Sequence, residues 1–200
     1  MIAPDRATPR NLVDLLWPAG DGAARGLRLA SLAVLGSLLL WASAKVHVPF
    51  YPVPMTLQTG AVLLLGVAYG WRLALATVLL YLAEGAVGLP VFSGTPERGI
   101  GLAYMAGPTG GYLASYPFVA VIAGLAAERA RSWLGLAFSL LLAVVVNYAL
   151  GLAWLAGFVG LQKAVAVGAA PFALGDLVKL LLVTALAEAA GLGRLRRQVG

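Results

Sequence analysis

Asp176 and Lys179 lie three positions apart inside an otherwise apolar run, Pro171 to Leu182 (PFALGDLVKLLL). That spacing puts both on one helix face, roughly one to two turns from its start. Ionisable groups in apolar surroundings are costly and usually face a bundle interior or a cavity. The pair offers acceptors and donors to a ligand with amide-like or carboxylate groups. An intrahelical ion pair with no ligand is the other reading of the same spacing. Gln58, Asn147 and Tyr148 also interrupt apolar stretches, where they serve either helix–helix hydrogen bonds or ligand contacts. Glu84 falls near the end of its stretch and is expected to reach water. In GPTGGY (Gly107 to Tyr112), Gly110 and Gly111 permit close approach of a ligand or of a second helix. The Walker spacing and its lysine are missing, so this is not a phosphate-binding loop.

The composition narrows the classes further. With no cysteine and one histidine, His47, disulfides, thiolate zinc sites, cysteine nucleophiles and multi-histidine metal or haem sites are excluded. No nucleophile with a partner base, acid/base pair or ATP motif is found. The chain therefore reads as a non-enzyme without a metal or cofactor.

The elements that must carry these residues are membrane helices. Of 200 residues, 61% are hydrophobic and 11% charged, against about 25% charged in soluble domains, and the mean hydropathy is +0.91. An all-α bundle of six transmembrane helices follows, with spans at about 26–44, 56–69, 73–87, 109–127, 134–159 and 171–190. Residues 1–25 form a polar N-terminal segment in which Leu12, Leu15, Leu16 and Trp17 suit a short interfacial helix. Residues 26–192 form the transmembrane domain, and 193–200 a basic tail. VPFYPVP (Val48 to Pro54) carries three prolines in seven residues and is expected to be an ordered extended loop. Gly70-Trp71-Arg72 is a tight turn between spans two and three. Residues 88–111 make a long connection of the kind that serves as a re-entrant loop or lid. Pro117 is expected to kink the fourth span, and Gln162 and Lys163 mark a loop.

Six spans place both termini on one side. That side collects ten arginines (6, 10, 25, 28, 72, 129, 131, 194, 196, 197), whereas the other has Lys45, Arg98 and Lys163. The positive-inside rule then puts both termini in the cytoplasm and the two long loops outside. The net charge of +6 belongs to this flanking pattern and not to nucleic-acid binding.

Val53 to Gly66 (VPMTLQTGAVLLLG), Leu89 to Phe92 (LPVF), Gly107 to Leu113 (GPTGGYL) and Pro171 to Lys179 (PFALGDLVK) resemble, in order, the BioY family. These are the biotin-specific substrate-binding (S) components of energy-coupling-factor (ECF) transporters. The resemblance implies an S-component bundle in the bacterial plasma membrane that captures biotin from outside. Its implied partners are a transmembrane coupling protein and two cytoplasmic ATPases. It also implies that Asp176 and Lys179 contact biotin. The family often has asparagine shortly after LPVF; Ser93 and Gly94 stand there here, and Ser93 is the candidate substitute. Phe92, Tyr112, Tyr116 and Tyr148 are candidates to pack on the ligand's apolar ring, with Gln58 as a further contact. Gly26, Ala30, Ala33 and Ser37 are the small residues of the first helix that would dock the coupling protein. A self-sufficient proton-coupled transporter, with Asp176 or Glu84 as its titrating group, is the alternative.

Overall fold

The computed structural model describes residues 12–16, 22–130 and 132–192. The polar stretch 1–11, Trp17 and the basic tail 193–200 lie outside the described residues. The described chain is mostly helical: α1 (Leu12–Leu16), α2 (Gly22–Lys45), α3 (Gln58–Ala86), α4 (Gly101–Met105), α5 (Gly110–Arg129), α6 (Trp133–Val159), α7 (Leu161–Gly168) and α8 (Ala173–Ala189). A two-stranded antiparallel ribbon, β1 (His47–Val48) with β2 (Met55–Thr56), completes the order.

Four helices, α2, α3, α5 and α6, are long and apolar enough to cross a bilayer. α7 and α8, bent by 50° at their junction, make a fifth if they form one span. Helix length therefore does not by itself return the six expected spans.

The reason lies in α3, which covers two of those spans. Gly70 interrupts it with φ 74° and ψ 166°, a backbone region open essentially to glycine alone. Gln58 and Tyr81 are 23 positions apart, yet Gln58 Nε2 donates to Tyr81 Oη at 2.6 Å. On a continuous helix that separation would be about 34 Å. α3 is thus a hairpin whose arms, 58–69 and 71–86, lie side by side. α2 closes on both arms: Tyr69 donates to the Leu32 carbonyl at 3.0 Å. A β-carbon at Gly36 of α2 would press on Leu65 and Tyr69 of one arm and Thr77 of the other. α5 packs most extensively on the hairpin and α6 packs on α5. Val62, Leu63, Val119, Ala120, Leu136 and Leu140 belong to the core between them. Leu38, Phe138, Leu142 and Leu181 remain exposed on the outside of the bundle, as lipid-facing side chains are.

At one end of the bundle, the proline-rich segment is ordered, as expected, and forms the loop of the β1–β2 ribbon. The long connection after α3 folds as turns around α4. Its Phe92 is 1% exposed, stacked on Tyr104 at 5.1 Å and edge-on to Tyr81 at 5.5 Å. Lys45, the last residue of α2, holds this connection through Phe92 O, Thr95 O and Thr95 Oγ1 at 3.0–3.2 Å. Arg98 reaches Pro52 O at 3.3 Å and joins the two loops.

One local expectation changes. Residues 161–168, read as a loop, form helix α7, set off from α6 by Gly160 at φ 82°. α5 runs as one helix across Pro117.

Candidate ligand-binding site

α8 presents Asp176 and Lys179 to the bundle interior from its first turns. Lys179 Nζ donates to Asp176 Oδ1 at 2.7 Å and to the Thr56 carbonyl of β2 at 2.7 Å. The Tyr148 hydroxyl of α6 donates to Asp176 Oδ2 at 2.5 Å. The side chains of Asp176 and Lys179 are 5% and 11% exposed. Both charges are thus held by fixed partners, which is what makes a buried ion pair tolerable. Neither is saturated. An ammonium has three protons and each carboxylate oxygen two lone pairs, so one Lys179 proton and further Asp176 lone pairs remain for a ligand. The Lys179 stem passes against Gly60, where a β-carbon would sit 3.3 Å from Lys179 Cβ and Cγ. The glycine of the QTG triplet makes room for the lysine.

These groups line a cavity between α3, α5, α6, α8, the ribbon and the long connection. Its wall combines apolar surface from Val53, Met55, Leu113 and Phe172 with the phenols Tyr104, Tyr112, Tyr116 and Tyr148. Gln58, Thr59, Ser93, Thr109 and Asn147 supply further polar groups. Ser93 is 3% exposed and its Oγ is buried without a hydrogen-bond partner among the described residues. An orphaned hydroxyl is unfavourable unless a ligand or water meets it.

The structure brings together seven of the eight expected site residues: Asp176, Lys179, Ser93, Tyr112, Tyr116, Tyr148 and Gln58. Phe92 is absent from the wall and supports Tyr104 from behind. Tyr112 also ties the site to α7, donating to Gly168 O at 2.8 Å. Gly110 and Gly111 serve packing, since β-carbons there would strike the Met105 carbonyl and Trp154. Of the four expected docking residues, Gly26 and Ala30 are exposed and Ala33 is half-buried. Ser37 is 2% exposed and donates to Glu84 Oε1 at 2.9 Å, so it faces the hairpin. Glu84 is accordingly half-buried.

Three contributors escaped the sequence reading. Thr56 acts through its backbone carbonyl, which no side-chain motif reveals. Lys45 looks like an ordinary charge at a helix end. Tyr104 sits in an apolar piece of the long connection and donates to Ser93 O at 2.6 Å. Burial pushes its phenol up, so it stays protonated and keeps that bond across the physiological range.

Fold and candidate site together define a helical membrane protein with a partly open, aromatic- and polar-walled cavity near one end of its bundle. The chain belongs to the BioY family, whose model matches residues 19–196. It is 38% identical over 158 residues to a probable biotin transporter BioY of Pyrococcus horikoshii, covering 79% of this chain and 93% of that one. It is 36% identical over 179 residues to the biotin transporter BioY of Rhizobium etli, covering 84% and 94%. Its fold is similar to the crystal structure of the S-component for biotin from an ECF-type ABC transporter, with a TM-score of 0.73 over 89% of this chain and 95% of that one. Identity to that structure is 22%, so the likeness carries the fold alone.

Proposed function

We propose that this chain is the biotin-binding membrane component of an ECF-type biotin transporter. The observation that carries the reading is the buried Asp176–Lys179 pair, with hydrogen-bonding capacity left over toward an aromatic-walled cavity. Biotin has the matching chemistry. Its ureido group holds both N–H donors and a carbonyl acceptor, its sulfur ring is apolar, and its valerate ends in a carboxylate. Asp176 accepts from ureido N–H groups, Lys179 donates to a ligand oxygen, and the tyrosines and Phe172 pack on the ring.

In a bilayer, the hairpin arms of α3 each count as a crossing. With α2, α5, α6 and α8 this makes six, and both termini fall on the arginine-rich cytoplasmic side. The cavity then lies in the outer half under the two tethered loops, and the protein resides in the plasma membrane. Transport draws on a transmembrane coupling protein and two cytoplasmic ATPases. Gly26, Ala30 and Ala33 offer the small-residue surface for docking. The chain is a carrier and not an enzyme.

Calorimetry of the detergent-purified protein tests the ligand. Biotin binds, and riboflavin and thiamine do not. Binding of either of those in place of biotin would contradict the reading. Topology has its own test in Arg98→Cys, which introduces the sole thiol of the chain. A membrane-impermeant thiol reagent labels it from outside the cell. Labelling only from the cytoplasmic side would reverse the orientation.

A further inference from the structure

Tyr81 is fully buried, outside the cavity wall, on the second arm of the α3 hairpin. Its hydroxyl accepts from Gln58 Nε2 at 2.6 Å and donates to the Val91 carbonyl at 3.1 Å. A phenol has one proton. No other donor serves the Val91 carbonyl among the described residues, and a buried carbonyl left unpaired is costly. The Tyr81 proton is therefore committed to Val91. Gln58 can meet Tyr81 only with its NH2 group, which leaves the amide oxygen as the other end of the side chain. Gln58 Oε1 has no donor within the described protein, and Gln58 lines the cavity.

We infer that Tyr81 is a positioning residue that makes Gln58 present an acceptor, rather than a donor, to the ligand, and that it does so only while the loop carrying Val91 is closed. If the loop lifts, the Tyr81 proton is released from Val91. It can then be donated to Gln58 Oε1, so the amide turns over and offers NH2 to the cavity. Loop closure and the hydrogen-bonding character of the wall are thereby coupled through one proton. The loop has other anchors that define the closed state: Lys45 on Phe92 and Thr95, and Tyr104 on Ser93. The ligand group matched by the closed wall is an N–H donor, such as a ureido nitrogen.

This inference rests on the biotin reading, and a double-variant cycle with biotin tests it. Tyr81→Phe removes only the hydroxyl and keeps the ring against Phe92. Gln58→Met keeps the length of the side chain and removes the amide. Each weakens biotin binding about five- to tenfold, the worth of one buried hydrogen bond. The double variant binds no worse than the weaker single, because Tyr81 acts through Gln58. Losses that multiply, or wild-type affinity in either single variant, would overturn the inference. If Tyr81→Phe does not purify as a monodisperse protein, Gln58→Met decides alone, since wild-type affinity there means that no acceptor is used. A wild-type protein that does not bind biotin removes the functional reading itself, an outcome distinct from additivity in the cycle.

Discussion

Lys179→Ala and Asp176→Asn each weaken biotin binding at least thirtyfold. Truncating one member of a buried charged pair costs about 2–5 kcal/mol, much of it from the partner left unpaired, and about 2 kcal/mol corresponds to thirtyfold. In Lys179→Ala, Asp176 keeps only the Tyr148 hydroxyl, the Thr56 carbonyl loses its donor, and the ligand loses a cation. In Asp176→Asn the shape survives, and Tyr148 can still donate to the amide oxygen. The ammonium then has no anion beside it, and the ligand's N–H groups lose their strongest acceptor. Calorimetry of the purified variants, each checked for a single gel-filtration peak, measures both losses. A well-folded double variant with wild-type affinity would show that the pair is only an intrahelical brace.

The second large effect falls on stability. Gly70→Val places a β-branched residue at φ 74°, ψ 166°, and backbone strain of this kind costs about 1–3 kcal/mol. For a chain of this length that corresponds to a fall in Tm of about 2–12 °C. The variant also loses biotin affinity, because the Gly70 turn lays Gln58 beside Tyr81. Gly157→Ala is the control, as a β-carbon there meets nothing within 4 Å. Thermal melting in detergent compares the two. A Gly70→Val protein that melts with the wild type would mean that the hairpin does not depend on this glycine.

The sequence reading reached the candidate cavity because its two central residues violate their surroundings. Asp176 and Lys179 stand out from an apolar run, and their three-residue spacing already fixes a shared face. The phenols at 112, 116 and 148 were legible as amphipathic groups in or beside apolar stretches. Phe92 lies one layer behind the cavity wall; an aromatic in a loop looks the same in sequence whether it lines a cavity or backs the residue that does. The Gly70-Trp71-Arg72 turn was legible from its glycine and flanking polar residues. The structure realises it without any loop, by one positive φ. α7 was missed because Gln162 and Lys163 read as polar punctuation, whereas an eight-residue amphipathic helix accommodates both. Contacts made by backbone, such as the Thr56 carbonyl on Lys179, have no signature in residue type. They follow only from how the ribbon folds over α8.

The most direct measurement is a crystal structure of the purified protein with biotin. The account predicts biotin in the cavity between α3, α5, α6 and α8, with its polar atoms within about 3.5 Å of Asp176 and Lys179, the reach of a hydrogen bond. Biotin bound elsewhere in the bundle, with the Asp176–Lys179 pair untouched, would contradict it.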